Sequence, residues 1–300
     1  MKKMLFGLFL AILSTILYTI MDASIKWSLS NYNISTEVFY FNVNLLIFFC
    51  IFIFGYILLK NNLLFIGVSK TIIIVRGVVA FLNFYLAYVV LQRLPLDIYY
   101  SIIFIVPTLA SILSVFLLKE KLDFIKILSL VIGFVGIIVI TNPFNNSFNF
   151  LHLVPIFITL ILALSISLAM VMTKKYFTKE NNISVSFYIF LICTIIGFAL
   201  SLIKTNFIVE KTFITNQSVL VLVIITAVSC FLGFLTFMQA YKSTPVQFLV
   251  PTEYLYIIWG SILGYIIFKD TITTTTIIGA IIVIISNALI FLEKPEQEVK

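Results

Sequence analysis

A chain of 300 residues that is 62% hydrophobic, carries only 10% charged residues and has a mean hydropathy of +1.20 has too little polar surface for a water-soluble domain. It reads as an integral membrane protein. Its net charge of +7 does not point to nucleic acid, because the basic residues stand in short clusters between apolar runs and not along one face.

A helix needs about 20 apolar residues to cross the hydrocarbon, which predicts spans at about 4–28, 37–59, 70–92, 97–118, 122–141, 150–173, 182–203, 217–241, 246–268 and 272–292. The first follows Lys2 and Lys3; it reads as a span and not a signal peptide, since the run is too long and lacks a small-residue cleavage site. The runs are apolar all round instead of alternating, so helices and not a barrel are expected. The expected fold class is an all-α membrane protein of ten transmembrane helices.

Fourteen of the nineteen Lys and Arg residues fall in loops or span ends on the side of the N-terminus. Lys and Arg near span ends resist translocation, so both termini are expected in the cytoplasm. Sliding the sequence on itself by 150 positions aligns Pro95 with Pro245, Ser111-Ile112-Leu113 with Ser261-Ile262-Leu263, and Lys119-Glu120 with Lys269-Asp270. Five spans per half force the second copy to enter the membrane upside down. Two inverted five-helix repeats, 1–145 and 146–300, are therefore expected, with Thr141 to Asn149 as the hinge.

The ninth predicted span carries Glu253, whose carboxylate sits roughly 10 Å inside at 1.5 Å per residue. A carboxylate there costs several kcal/mol unless it has a task or a partner. It reads as a cavity group for a proton or a substrate cation, with the alternative that it is protonated, or paired with Arg76 or Lys26, to fix packing. Arg76, a turn or two into span three, is expected to snorkel to the cytoplasmic surface. Asp22 and Lys26, four apart on one helical face, are candidates for a local ion pair or a gate.

Tyr254, Tyr256 and Trp259, with Tyr99, Tyr100, Tyr85 and Tyr88, offer aromatic faces that attract cations, although each could equally pack against lipid or protein. Asn42, Asn44, Asn83, Gln239, Gln247 and Asn287 would line a wet path or hydrogen-bond helix to helix. Gly133 and Gly136 read as packing glycines, and His152, the single histidine, as interfacial. Cys50, Cys193 and Cys230 are odd in number and lie inside apolar runs, so no disulfide or metal set is expected. There is no Gly-rich loop ending in Gly-Lys-Ser/Thr, no His-Glu-x-x-His and no nucleophile and base arrangement. No cofactor, no metal, no nucleic acid and no enzymatic activity are expected.

Several stretches taken together carry a family resemblance over nearly the whole chain. They are Asp22-Ala23-Ser24-Ile25-Lys26, Arg76-Gly77, Leu94-Pro95-Leu96-Asp97 leading to Pro107, and Lys119-Glu120-Lys121-Leu122 followed by Gly133-x-x-Gly136. The second half adds Pro251-x-x-Tyr254 through Gly264-Tyr265 and Phe268-Lys269-Asp270. The chain resembles the drug/metabolite transporter superfamily in its EamA-type ten-helix branch, and the second-half segment looks like that of bacterial S-adenosylmethionine uptake transporters. Similar members often have Arg where this chain has Asn42 and Glu253, a difference that should change the preferred substrate charge.

The resemblance implies an alternating-access secondary carrier of a small polar or zwitterionic metabolite, with S-adenosylmethionine uptake as one reading and an amino-acid or drug exporter as the alternative. A non-transporting membrane scaffold and an intramembrane enzyme are the readings from other classes. The expected partners are the small-molecule substrate, the lipid bilayer and a coupling proton.

Overall fold

The computed structural model describes residues 2–32, 34–59, 62–93, 99, 102–103, 105–119, 124–141, 153–205, 216–269 and 274–291. Tyr100, His152, Pro95 and the predicted hinge after Thr141 lie outside the described residues. Within them, the regular structure is helical. The first half runs α1 (Lys2–Asn31), α2 (Thr36–Leu59), α3 (Lys70–Leu91), α4 (Val106–Leu118) and α5 (Phe124–Thr141). The second half runs α6 (Leu153–Tyr176), α7 (Asn182–Thr205), α8 (Gln217–Ser243), α9 (Val246–Leu249), a 3-10 turn (Val250–Tyr254), α10 (Leu255–Leu263), a π turn (Gly264–Phe268) and α11 (Thr274–Phe291).

By length and composition, the helices α1, α2, α3, α6, α7 and α8 can each cross a membrane unaided. The others are shorter or interrupted. The predicted span 246–268 is not one α-helix: Pro251 has no N–H to donate, so the ladder tightens into the 3-10 turn before α10 resumes. Large apolar side chains such as Phe9, Phe116, Phe157 and Ile203 stand outward, as a lipid-facing surface requires. Buried hydroxyls are satisfied locally or between helices. Thr19 and Thr173 donate to carbonyls four residues back, while Ser24 bonds Thr226 at 2.7 Å.

Packing couples the two halves throughout. α1 lies along α8 and α3 against α6; α4 touches α6 and α1 touches α10; α2 faces α7, and α5 lies along α11. Exchanging the halves leaves this set of neighbours unchanged. Helix ends agree: Phe124–Thr141 and Thr274–Phe291 begin and end 150 positions apart. Lys119 and Lys269, at the same offset, both end their helical segments in the left-handed region, with φ of 59° and 61°.

Two close approaches need glycine. A Cβ on Gly7 would lie 2.1 Å from Thr244 Oγ1, and a Cβ on Gly133 would lie 2.1 Å from Tyr254 Cε2. The first lets α1 touch the end of α8; the second lets α5 support the 3-10 turn.

Candidate functional site

A cavity opens where α1, α3, α4, α6, α8 and the interrupted segment 246–268 converge, with about 870 Å³ of empty space counting its mouth. Its wall is mostly apolar and aromatic, with Tyr18, Phe84, Tyr99, Phe234, Phe237 and Tyr256 contributing rings. Set into it are Asp22 from α1, Arg76 and Asn83 from α3, and Glu253 from the 3-10 turn.

The three ionisable side chains are deeply placed. Asp22 is 6% exposed, Arg76 1% and Glu253 7%. Arg76 therefore does not snorkel, as the sequence suggested; its guanidinium turns inward and lies 5.6 Å from the centre of the Phe234 ring. The reason lies in the packing: Arg76 is on the face of α3 turned to the cavity among α1, α6 and α8, where a surface-seeking arginine would need lipid or water beside it. Its Nε and Nη1 are buried without a hydrogen-bond partner among the described residues.

Glu253 Oε1 accepts a hydrogen bond from Tyr241 Oη at 3.0 Å. Its backbone belongs to the turn forced by Pro251, so the carboxylate projects from irregular structure that is itself buried in protein, as membrane-depth irregularity requires. Asn83 Oδ1 accepts from Ser165 Oγ of α6 at 2.5 Å, which fixes the amide plane against the cavity.

The remaining sequence candidates divide. Tyr99 and Tyr256 line the cavity. Tyr254 packs on Gly133, and its hydroxyl donates to Leu130 O at 3.1 Å, so it braces α5. Trp259 Nε1 donates to Thr15 Oγ1 at 3.2 Å and ties α10 to α1. Tyr85 donates to Glu37 Oε1 at 3.0 Å and stacks on Phe81. Lys26 Nζ lies 6.0 Å from the centre of the Phe268 ring, beside the π turn, while Asp22 faces the cavity.

Sequence reasoning missed Tyr18, Phe84, Phe234, Phe237 and Met170. The signal for some of them was present: at the offset of 150, Phe84 pairs with Phe234, Ala87 with Phe237, Ile103 with Glu253 and Val106 with Tyr256, and all eight line the cavity.

Opposite ties close the end of the bundle at the α6–α7 and α8–α9 connections. Lys174 Nζ donates to Thr244 O at 3.2 Å, and Lys242 Nζ donates to Glu180 O at 2.6 Å. The Gly67 N–H donates to the Glu180 carboxylate at 3.0 Å, drawing in the α2–α3 loop. Such charge-assisted bonds are stronger than neutral ones, about 1.5–3 kcal/mol each.

Tyr254→Phe keeps the ring on Gly133 and deletes the hydroxyl with its hydrogen bond to Leu130 O. Thermal unfolding in detergent should show a loss of about 1 kcal/mol, with uptake per folded molecule unchanged. A larger fall in uptake than in folded protein would put this hydroxyl in the transport path.

The model of the EamA-like transporter family matches twice, over residues 5–142 and 153–292. The chain is 26% identical over 306 residues to an S-adenosylmethionine uptake transporter of Rickettsia prowazekii (strain Madrid E), covering 100% of this chain and 97% of that protein. It is 25% identical over 305 residues to an uncharacterized transporter of Helicobacter pylori (strain J99 / ATCC 700824), covering 100% and 99%. A solved crystal structure aligns with a TM-score of 0.76 at 16% identity, over 97% of this chain and 96% of its own, and so shares the fold.

Proposed function

Because the chain belongs to the EamA-like transporter family, we propose that it is a secondary carrier moving a small polar or zwitterionic metabolite across the bacterial inner membrane by alternating access. In this reading ten spans form two inverted five-helix repeats, 1–145 and 146–300, with both termini in the cytoplasm. The substrate sits where the halves meet. The observation that carries the reading is the cavity itself: helices of both halves wall it, and buried charges of both signs project into it from α1, α3 and an interrupted helix.

Binding at a midplane site drives transport only if the bound state is compatible with opening at either end. The ties among Lys174, Lys242, Glu180 and Thr244 would break for opening at that end and re-form on closing. Aromatic faces and carboxylates favour a cationic group, and a sulfonium or an ammonium meets that requirement. S-adenosylmethionine, which the Rickettsia relative's name gives as its substrate, is accordingly the first compound to try.

The test is uptake of labelled S-adenosylmethionine, amino acids and nucleosides into proteoliposomes, with and without a pH gradient. Saturable uptake of a zwitterionic compound above protein-free vesicles is expected. Absence of uptake across the panel in both directions, from a monodisperse preparation, would favour the scaffold reading; stimulation by the pH gradient would identify a proton as coupling ion.

A further inference from the structure

We propose that Arg76 is the carboxylate-binding group of the cavity. The substrate is then an amino-acid-like cation: one carboxylate held by Arg76, and positive groups held by Asp22 and Glu253. This inference rests on the carrier reading above and narrows it.

Arg76 is 1% exposed, and its Nε and Nη1 have no hydrogen-bond partner among the described residues. Burying such donors without compensation is costly, and a guanidinium presents them in a planar fork that matches a carboxylate bidentately. Nε shares one edge of that fork with Nη2 and Nη1 shares the other, so each edge holds one of these unpartnered donors. The phenyl ring of Phe234 lies 5.6 Å from the guanidinium carbon and offers cation–π attraction, which leaves the N–H donors for another group. The same cavity is lined by Ala80 and Ala169, side chains small enough to leave space beside α3 and α6.

The architecture does not call for these charges. Residues 150 positions away occupy the other half, and each is neutral: Met172 on α6 for Asp22, Thr226 on α8 for Arg76, and Ile103 for Glu253. Thr226 is fully satisfied where it stands, donating to or accepting from Ser24 at 2.7 Å and bonding Leu222 O at 2.7 Å. Ile103 lines the same cavity as Glu253 without any charge. At each of these three positions one copy packs with a neutral residue, so the charged residue in the other copy serves what enters the cavity. With one cationic and two anionic side chains, a ligand bearing a carboxylate alone, or a cation alone, leaves a buried charge unmatched. A ligand carrying one carboxylate and two positive groups matches them.

The experiment pairs compounds that differ by the carboxylate alone. Labelled S-adenosylmethionine, lysine and ornithine are offered to proteoliposomes, and unlabelled S-adenosylmethionine, its decarboxylated form, lysine, cadaverine, ornithine and putrescine compete. With the native protein, each decarboxylated competitor should be weaker than its parent by about tenfold or more, the discrimination expected of one bidentate charged contact. R76M should bring the two inhibition curves of each pair together, and R76K should keep part of the difference because it retains charge without the fork. Monodispersity in detergent checks the folding of both variants. Equal competition by parent and decarboxylated compounds against the native protein overturns the role of Arg76 while leaving the carrier reading intact, and this arm needs no variant. Retained discrimination in folded R76M overturns it as well. If none of the labelled cationic amino acids is taken up while another class of the wider panel is, the substrate class proposed here falls and the carrier reading stands; if nothing is taken up, both fall.

Discussion

Glu253→Gln should reduce uptake of a cationic substrate by roughly ten- to hundredfold while leaving the amount of folded protein unchanged. The magnitude is that of one lost charged contact, about 1.5–3 kcal/mol, at 1.4 kcal/mol per factor of ten. Folding should survive because glutamine has nearly the same shape, and its side-chain carbonyl can still accept the hydrogen bond that Tyr241 Oη now donates to Glu253 Oε1 at 3.0 Å. The change removes a charge and little else. Proteoliposome uptake, normalised to monodisperse protein, is the measurement. Unaltered uptake by Glu253→Gln would mean that the carboxyl is neutral throughout the cycle or points away from the substrate. Loss of folded protein would instead make it part of the packing around Tyr241.

Gly133→Val should be the most destabilising single change in the α5 region. A Cβ alone would lie 2.1 Å and 2.3 Å from two ring carbons of Tyr254 and 2.9 Å from Ser286 Oγ, all closer than van der Waals contact permits. The ring cannot simply swing aside, since its hydroxyl is bonded to Leu130 O. Nor can α5 withdraw freely, because Ser286 Oγ of α11 donates to Ser129 O at 2.6 Å. Overpacking of this kind costs about 1–3 kcal/mol, and more where both sides are held, against a gain in helix propensity of less than 1 kcal/mol on replacing glycine. Thermal unfolding should show the loss. Combining the change with Tyr254→Ala should recover a large part of it, since the clash is with that ring. A fully additive double variant would show that the close approach is not the cause.

These two changes separate what was legible from what was not. Gly133 was marked in the sequence as a packing glycine, and its role as the seat of Tyr254 is a statement of that kind with the partner supplied. Glu253 was marked because a carboxylate inside an apolar run is costly anywhere along it. Arg76 was misjudged for the same reason that it was noticed: counted along α3 it is close to an end, and snorkelling depends on what lies beside the helix. The face of α3 that carries Arg76 turns to the cavity among α1, α6 and α8, and nothing in the local sequence of α3 announces those neighbours. Tyr254, Tyr85 and Trp259 could not be told from Tyr256 and Tyr99 by composition. All are aromatic and all lie in or beside apolar runs; the direction in which each points separates cavity wall from brace.

The sequence by itself determined the solvent, the helical class and the doubling of the pattern. Each of these depends on quantities summed along the chain: apolar length against membrane thickness, all-round hydrophobicity against alternation, and matched punctuation at an offset of 150. The tertiary structure alone decided which side chains share a cavity. Asp22, Arg76 and Glu253 are far apart in the chain and meet because α1 crosses to α8, α3 to α6, and Pro251 breaks the segment that carries Glu253. Facing is a property of packed helices, fixed by contacts between elements distant in sequence, and a single residue's surroundings cannot be read from its own run.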